Sequence, residues 1–215
     1  MATDILIQVG LILITVFMFL FMYNIPQKAL SKLRLRSRSD LQAKRHFVQG
    51  AQLLAQARSS AAAKDPSTTT TSLAKSAADE ADRAIAIDPK DAAAHILKAM
   101  ALELQGFRTS ALDSFDIALS PMAAKSLSGH ERGDALFKRA ELKVAPGRSE
   151  RVDSAVADLV DSVQLRNDNP QAFCLLGQCY ETKGMAEEAR KAYDEALRVE
   201  PKSTLARVAL DRLGS

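Results

Sequence analysis

The sequence predicts an all-α chain, a solenoid of helical hairpins preceded by a single N-terminal transmembrane helix. Three observations predict it. The run Ile5–Tyr23 holds no charged residue. The rest is rich in Ala, Leu, Lys, Arg and Glu, which favour helix, and only 5% of all residues are aromatic. Small and apolar residues recur there at helical spacing in successive blocks, while the long Val/Ile/Tyr alternation of strands is missing beyond the first 25 residues.

The N-terminal element follows from length. After a short tail (1–4), the span and its end occupy residues 5–25. At about 1.5 Å per residue, Ile5–Tyr23 covers roughly a bilayer core. Gln8 and Thr15 are its clearly polar side chains, and Thr15 can bond back to its own helix. Tyr23 suits the headgroup interface, and Pro26 ends the helix just outside. A cleaved signal peptide would want a basic start, a shorter apolar core and small residues at the cleavage site. Here the start carries Asp4 and no Lys or Arg, so the segment reads as a retained anchor with the lipid bilayer as its partner.

Residues 26–42 form a basic juxtamembrane linker. Lys28, Lys32, Arg34, Arg36 and Arg38 face only Asp40 within it. From Ala43 onward 24 basic and 24 acidic residues cancel, so the formal charge of +3 comes from the N-terminal part. A nucleic-acid binder would need a basic stripe on the folded part, and the sequence predicts none. The positive-inside rule places the basic flank, and all that follows, in the cytosol. The very apolar span favours the endoplasmic reticulum, with mitochondrial or plastid outer membranes as alternatives.

The repeats occupy 43–215. The clearest lies at 170–201. Phe173, Leu176, Gly177 and Tyr180 stand on a first helix, and Ala189, Tyr193 and Ala196 on a second. Gly177 and Ala189 are small where the two helices cross, Gly184 allows the turn between them, and Pro201 stops the second. Upstream, 91–121 has Ala99, Leu102, Gly106, Ala111, Phe115 and Ala118 at equivalent places. The block 133–167 has Leu136, Ala140, Ala155, Leu159 and Ser162, with a lengthened turn around Pro146-Gly147. The first block, 43–89, has Gly50 and Leu53, then Ala77, Ala81, Ala84 and Ile87. Its helices are separated by Ser59–Ser72, which contains four consecutive Thr and reads as a flexible surface loop. Residues 203–213, with Leu205, Val208, Leu210 and Leu213, read as a closing amphipathic helix.

No catalytic constellation is present in this sequence. It has no Gly-rich phosphate loop, no HExxH and no CxxC. His46, His95 and His130 are isolated along the chain and read as surface or capping residues. Asp79-Glu80 and Glu187-Glu188 point about 100° apart on a helix, which suits a solvated face. Cys174 and Cys179 are too far apart along one helix for a disulfide and read as packed thiols. The expectation is a protein without enzymatic activity, cofactor or metal.

The pattern from Phe173 to Pro201 resembles the tetratricopeptide repeat, and the upstream blocks resemble degenerate copies of it. The resemblance implies a groove lined by the first helix of each repeat, which holds a peptide of a protein partner. Carried onto this sequence, that inner face holds Phe47, Ala51 and Leu54, then Ile96, Met100, Glu103 and Leu104, then Phe137 and Glu141, then Cys174, Gln178 and Glu181. Some members clamp the C-terminal carboxylate of chaperones with Lys and Asn. Here those places hold Phe47, Ala51 and Leu97, and the nearby Lys138 and Arg139 do not restore the clamp. An apolar or weakly basic peptide suits the acidic points better.

The resulting expectation is a membrane-anchored adaptor that presents this groove to a cytosolic protein. Two alternatives share its layout: a structural subunit of a membrane complex, and a co-receptor for import or chaperones at an organelle outer membrane.

Overall fold

The computed structural model describes residues 39–63, 67–144 and 151–214, together with positions 8, 12–15 and 18. The span expected over 5–25 therefore lies largely outside the described residues. Its described positions are helical, and the Thr15 hydroxyl donates to the Ile12 carbonyl at 2.9 Å. Among the described residues no helix is long and apolar enough to cross a membrane.

From residue 39 on, the described residues form nine α-helices: α1 (39–62), α2 (Ser67–Ile87), α3 (Ala92–Leu104), α4 (Arg108–Ala118), α5 (Gly129–Lys143), α6 (Val152–Leu165), α7 (Pro170–Thr182), α8 (Ala186–Val199) and α9 (Thr204–Gly214). A short 3-10 turn, Ala124–Ser126, precedes α5. Helices pack on their neighbours in the chain, as a solenoid requires, and the packing is thinnest between α4 and α5.

Local chemistry sets the boundaries. Asp91 caps α3 by accepting the Ala93 N–H, and Asn169 caps α7 by accepting from Gln171 and Ala172 just ahead of Pro170. Ser128 and Glu131 form a reciprocal capping box at the start of α5. The α3–α4 and α7–α8 turns are built alike. Gly106 (φ +84°) and Gly184 (φ +72°) take the left-handed conformation that ends each first helix. The N–H groups of Phe107 and Met185 then reach back to the carbonyls of Leu102 and Tyr180, at 2.9 Å in each case.

The core is made largely of alanine, which lets helices approach closely. Ala77, Ala81, Ala99, Ala111, Ala155 and Ala189 are fully enclosed. Larger side chains fill the remaining space, with Phe115, Leu159 and Tyr193 the bulkiest fully buried ones. At Gly133 an added Cβ would stand 2.9 Å from Arg166 Cβ and 3.2 Å from the Ser162 carbonyl. There Ser162 donates to the Gly133 carbonyl at 2.8 Å and locks α5 onto α6.

Four expectations change. The expected loop Ser59–Ser72 is helical at 59–62 and again from Ser67, leaving 63–66 as the break, of which 64–66 lie outside the described residues. Alanine favours helix at 61–62, and Thr70 continues the buried stripe of Ala74, Ala77, Ala78, Ala81 and Ala84, so packing overrides the weak propensity of the threonines. His95 is buried rather than on the surface, its Nε2 lying 3.0 Å from the Pro89 carbonyl. Glu80 is also buried, held between His46 at 2.7 Å and Arg83 at 2.5 Å, so this pair does not form a solvated face. Finally, α9 buries Ala206 and Ala209 and leaves Leu205 and Val208 exposed. Its two alanines seat it on α8, with Leu210 and Leu213 packed beside them.

Candidate binding groove

The first helices line one side of the solenoid, and two apolar hollows open along them. The first has a volume of about 580 Å³. Phe47, Ala51 and Leu54 of α1 and Ile96 and Met100 of α3 form much of its wall, and Leu127 and Ala135 close the far side. The second, about 360 Å³, lies between Phe137 and Glu141 of α5, Cys174 and Gln178 of α7, and the turn before α9. Spacing explains these walls: residues three and four apart on a helix share a face.

Most of the residues expected in the groove come together in these two hollows. Phe47, Ile96 and Met100 line the first, and Phe137, Glu141 and Gln178 the second. Leu104 does not line either hollow and packs into the core between α1, α2 and α3. Glu181 is engaged elsewhere. It accepts the Tyr193 hydroxyl at 2.5 Å and Arg212 at 2.6 Å, stapling α7 to α8 and α9.

Glu103 lines neither hollow, yet it stands in the field of Arg58, on the wall of the first, and of Glu141, on the wall of the second. Burial pushes its carboxyl above the ordinary value, against the pull of Lys138. Glu141 is satisfied by Lys138 at 2.5 Å, whereas Glu103 makes no ion pair among the described residues. The Lys138 ammonium also lies 5.2 Å from the Phe137 ring centroid.

The rim contains residues the sequence reading missed. Arg58 borders the first hollow, with Glu131 and Asp134 also on its wall. Asp134 is paired with Arg166, and Glu131 is held in its capping box with its carboxyl below the ordinary value through bonding to Ser128. The Ser128-x-x-Glu131 pattern is the signal that could have placed this first turn of α5 on the groove.

Neither cysteine is a reactive centre. Both are free and buried, and burial pushes the Cys179 thiol up to about 11. The native chain is therefore expected to resist alkylation of Cys179 at pH 8 and to accept it once unfolded. Mass spectrometry of iodoacetamide-treated protein reads this. Rapid native modification of Cys179 would contradict the buried placement. Among the described residues no cluster of three or more His, Cys, Asp or Glu could hold a metal.

Residues 170–203 match the family model of the tetratricopeptide repeat. No curated relative matches the chain. Among solved structures, MamA is 14% identical with a TM-score of 0.57, over 67% of this chain and 78% of that one. YrrB, a TPR protein with an unusual peptide-binding site, is 19% identical with a TM-score of 0.55, over 75% and 74%. A tetratricopeptide repeat protein from Parabacteroides merdae ATCC 43184 is 21% identical with a TM-score of 0.54, over 77% and 60%. At these identities the likeness is one of fold. The described helices form an all-α solenoid with the fold of these structures, and residues 170–203 are the segment that matches the tetratricopeptide-repeat model.

Proposed function

We propose that this chain is a non-enzymatic adaptor, anchored in a membrane by residues 5–25, whose cytosolic array holds a protein partner in the groove of its first helices. The observation that carries the reading is the first hollow, an apolar recess of about 580 Å³ on the face that a tetratricopeptide-type solenoid turns inward. YrrB, which shares the fold, has a peptide-binding site. The apolar wall, with Glu103 nearby making no ion pair among the described residues, favours an apolar partner segment carrying a basic side chain. The uncharged run Ile5–Tyr23 and its basic flank support the anchor and the cytosolic side, with the endoplasmic reticulum as the favoured membrane.

The test is affinity capture by the full chain from detergent-solubilised membranes, comparing the native sequence with Met100→Glu. Burying a carboxylate in the apolar wall should weaken the captured partner at least about tenfold, near 1.4 kcal/mol. Helical content should not change, since Met100 is only half-buried. Equal recovery of the same partner by both chains would reject the groove as its site.

A further inference from the structure

α1 turns one side into the array and leaves another uncovered. Ala43, Gly50, Leu54 and Ala57 are on its buried side, where a Cβ on Gly50 would stand 2.9 Å from Leu97 and 3.2 Å from the Ala77 carbonyl. On the opposite side Leu41 and Val48 are 53% and 52% exposed. Residues seven apart share a helix face, and at about 100° per residue Lys44 and Arg45 fall on either flank of that apolar pair. Neither cation makes an ion pair among the described residues. Leu205 and Val208 of α9 are exposed as well, but the arginines beside them are engaged, Arg207 with the Pro201 carbonyl and Arg212 with Glu181.

Sequence adds the second observation. Lys28, Lys32, Arg34, Arg36 and Arg38 precede this helix, opposed there by Asp40, whereas the charges from Ala43 onward cancel. In the sequence the cationic excess thus lies just before α1, which exposes Leu41 and Val48. We propose that this face of α1 docks on the headgroup layer of a membrane containing anionic lipid. The inference rests on the reading that the chain is held at a membrane. Leu41 and Val48 enter the headgroup boundary while Lys44 and Arg45 meet lipid phosphates and carboxylates. Phe47 lies about 120° around the helix from Leu41, so the groove it lines stays clear of the lipid. The anchor alone would tether the array, and this contact orients it.

The chain contains no Trp, so a Val48→Trp variant carries one reporter. The full chain is reconstituted into phosphatidylcholine vesicles with brominated acyl chains, with and without phosphatidylserine, and tryptophan quenching is read. The comparison reporter is Val208→Trp on α9, and Leu41→Trp serves as a second reporter if Val48→Trp misfolds. The expected result is quenching of the α1 reporters at least twofold above the α9 reporter in the phosphatidylserine vesicles. That quenching should fall with added salt and disappear in a background of Lys44→Glu and Arg45→Glu. Equal quenching at both ends, quenching independent of phosphatidylserine, or burial of the α1 reporters in a lipid-free dimer would overturn the proposal. Failure of the chain to float with phosphatidylcholine vesicles would count against the anchor instead. Protein added to phosphatidylserine vesicles would then still decide the docking face by the same quenching.

Discussion

Replacing Tyr193 with alanine is expected to destabilise the array by about 3–5 kcal/mol, the loss that follows removal of a fully buried aromatic ring. The ring has no solvent exposure and packs among Phe173, Cys174, Ala189 and Ala196. It also lies where a Cβ on Gly177 would stand, 2.7 Å from the ring, so α7 and α8 fit around it and cannot close over the gap. Its hydroxyl donates to Glu181 at 2.5 Å, and burial first, then this bond, keeps the phenol protonated by raising its pKa. Tyr193→Phe removes the bond alone and should lose about 1–2 kcal/mol. Urea unfolding followed by circular dichroism separates the two. A loss below about 1 kcal/mol for Tyr193→Ala would show that the last repeat is not packed around this ring.

Asp158→Asn is the second large effect, about 3 kcal/mol. Asp158 is buried on α6 and receives Arg139 Nε at 2.9 Å, Arg139 Nη2 at 2.5 Å and Lys143 Nζ at 2.7 Å. Burial works against the Arg139 charge, and its bonds to Asp158 and Asp116 more than restore it. Removing the central carboxylate leaves two largely enclosed cations without their shared partner. Asp116→Asn offers the contrast. Asp116 also binds Arg139, at 2.8 Å, but its side chain is 60% exposed, and its loss should stay below about 1 kcal/mol. Similar losses for the two substitutions would contradict the view that burial decides the worth of this cluster.

The sequence showed most clearly what depends on small residues at fixed spacing. Gly177, Tyr180, Ala189 and Tyr193 revealed the last repeat because each packs against residues of its own hairpin. Gly106 and Gly184 marked their turns because a positive φ favours glycine. The α1–α2 boundary was not legible. The Ser/Thr run has the composition of a loop, and its helical state depends on burial of Thr70 and Ala74 against the array. The role of Glu181 was hidden for a similar reason. Its spacing puts it on a first helix, but its partner Arg212 lies 31 residues away on the capping helix, which packs Leu210 and Leu213 and leaves Leu205 and Val208 exposed. His95 read as a surface or capping residue and is instead buried, with its Nε2–H donating to the Pro89 carbonyl at 3.0 Å. Of the groove residues that the resemblance implied, Phe47, Ile96, Met100, Phe137, Glu141 and Gln178 line the two hollows. Arg58 and Asp134 fall on the same faces, four residues after Leu54 and three before Phe137, but each lies beyond the part of its helix that the resemblance carried over.

The groove is the centre of the account, and photo-crosslinking in the full chain at its native membrane tests it most directly. A benzophenone side chain is placed in turn at Ile96 and Met100, on the wall of the first hollow, and at Ile117, which is 49% exposed on the second helix of the same hairpin. The account predicts one partner adduct from positions 96 and 100 and none from 117. An adduct of equal yield at 117, or one found there alone, would contradict it.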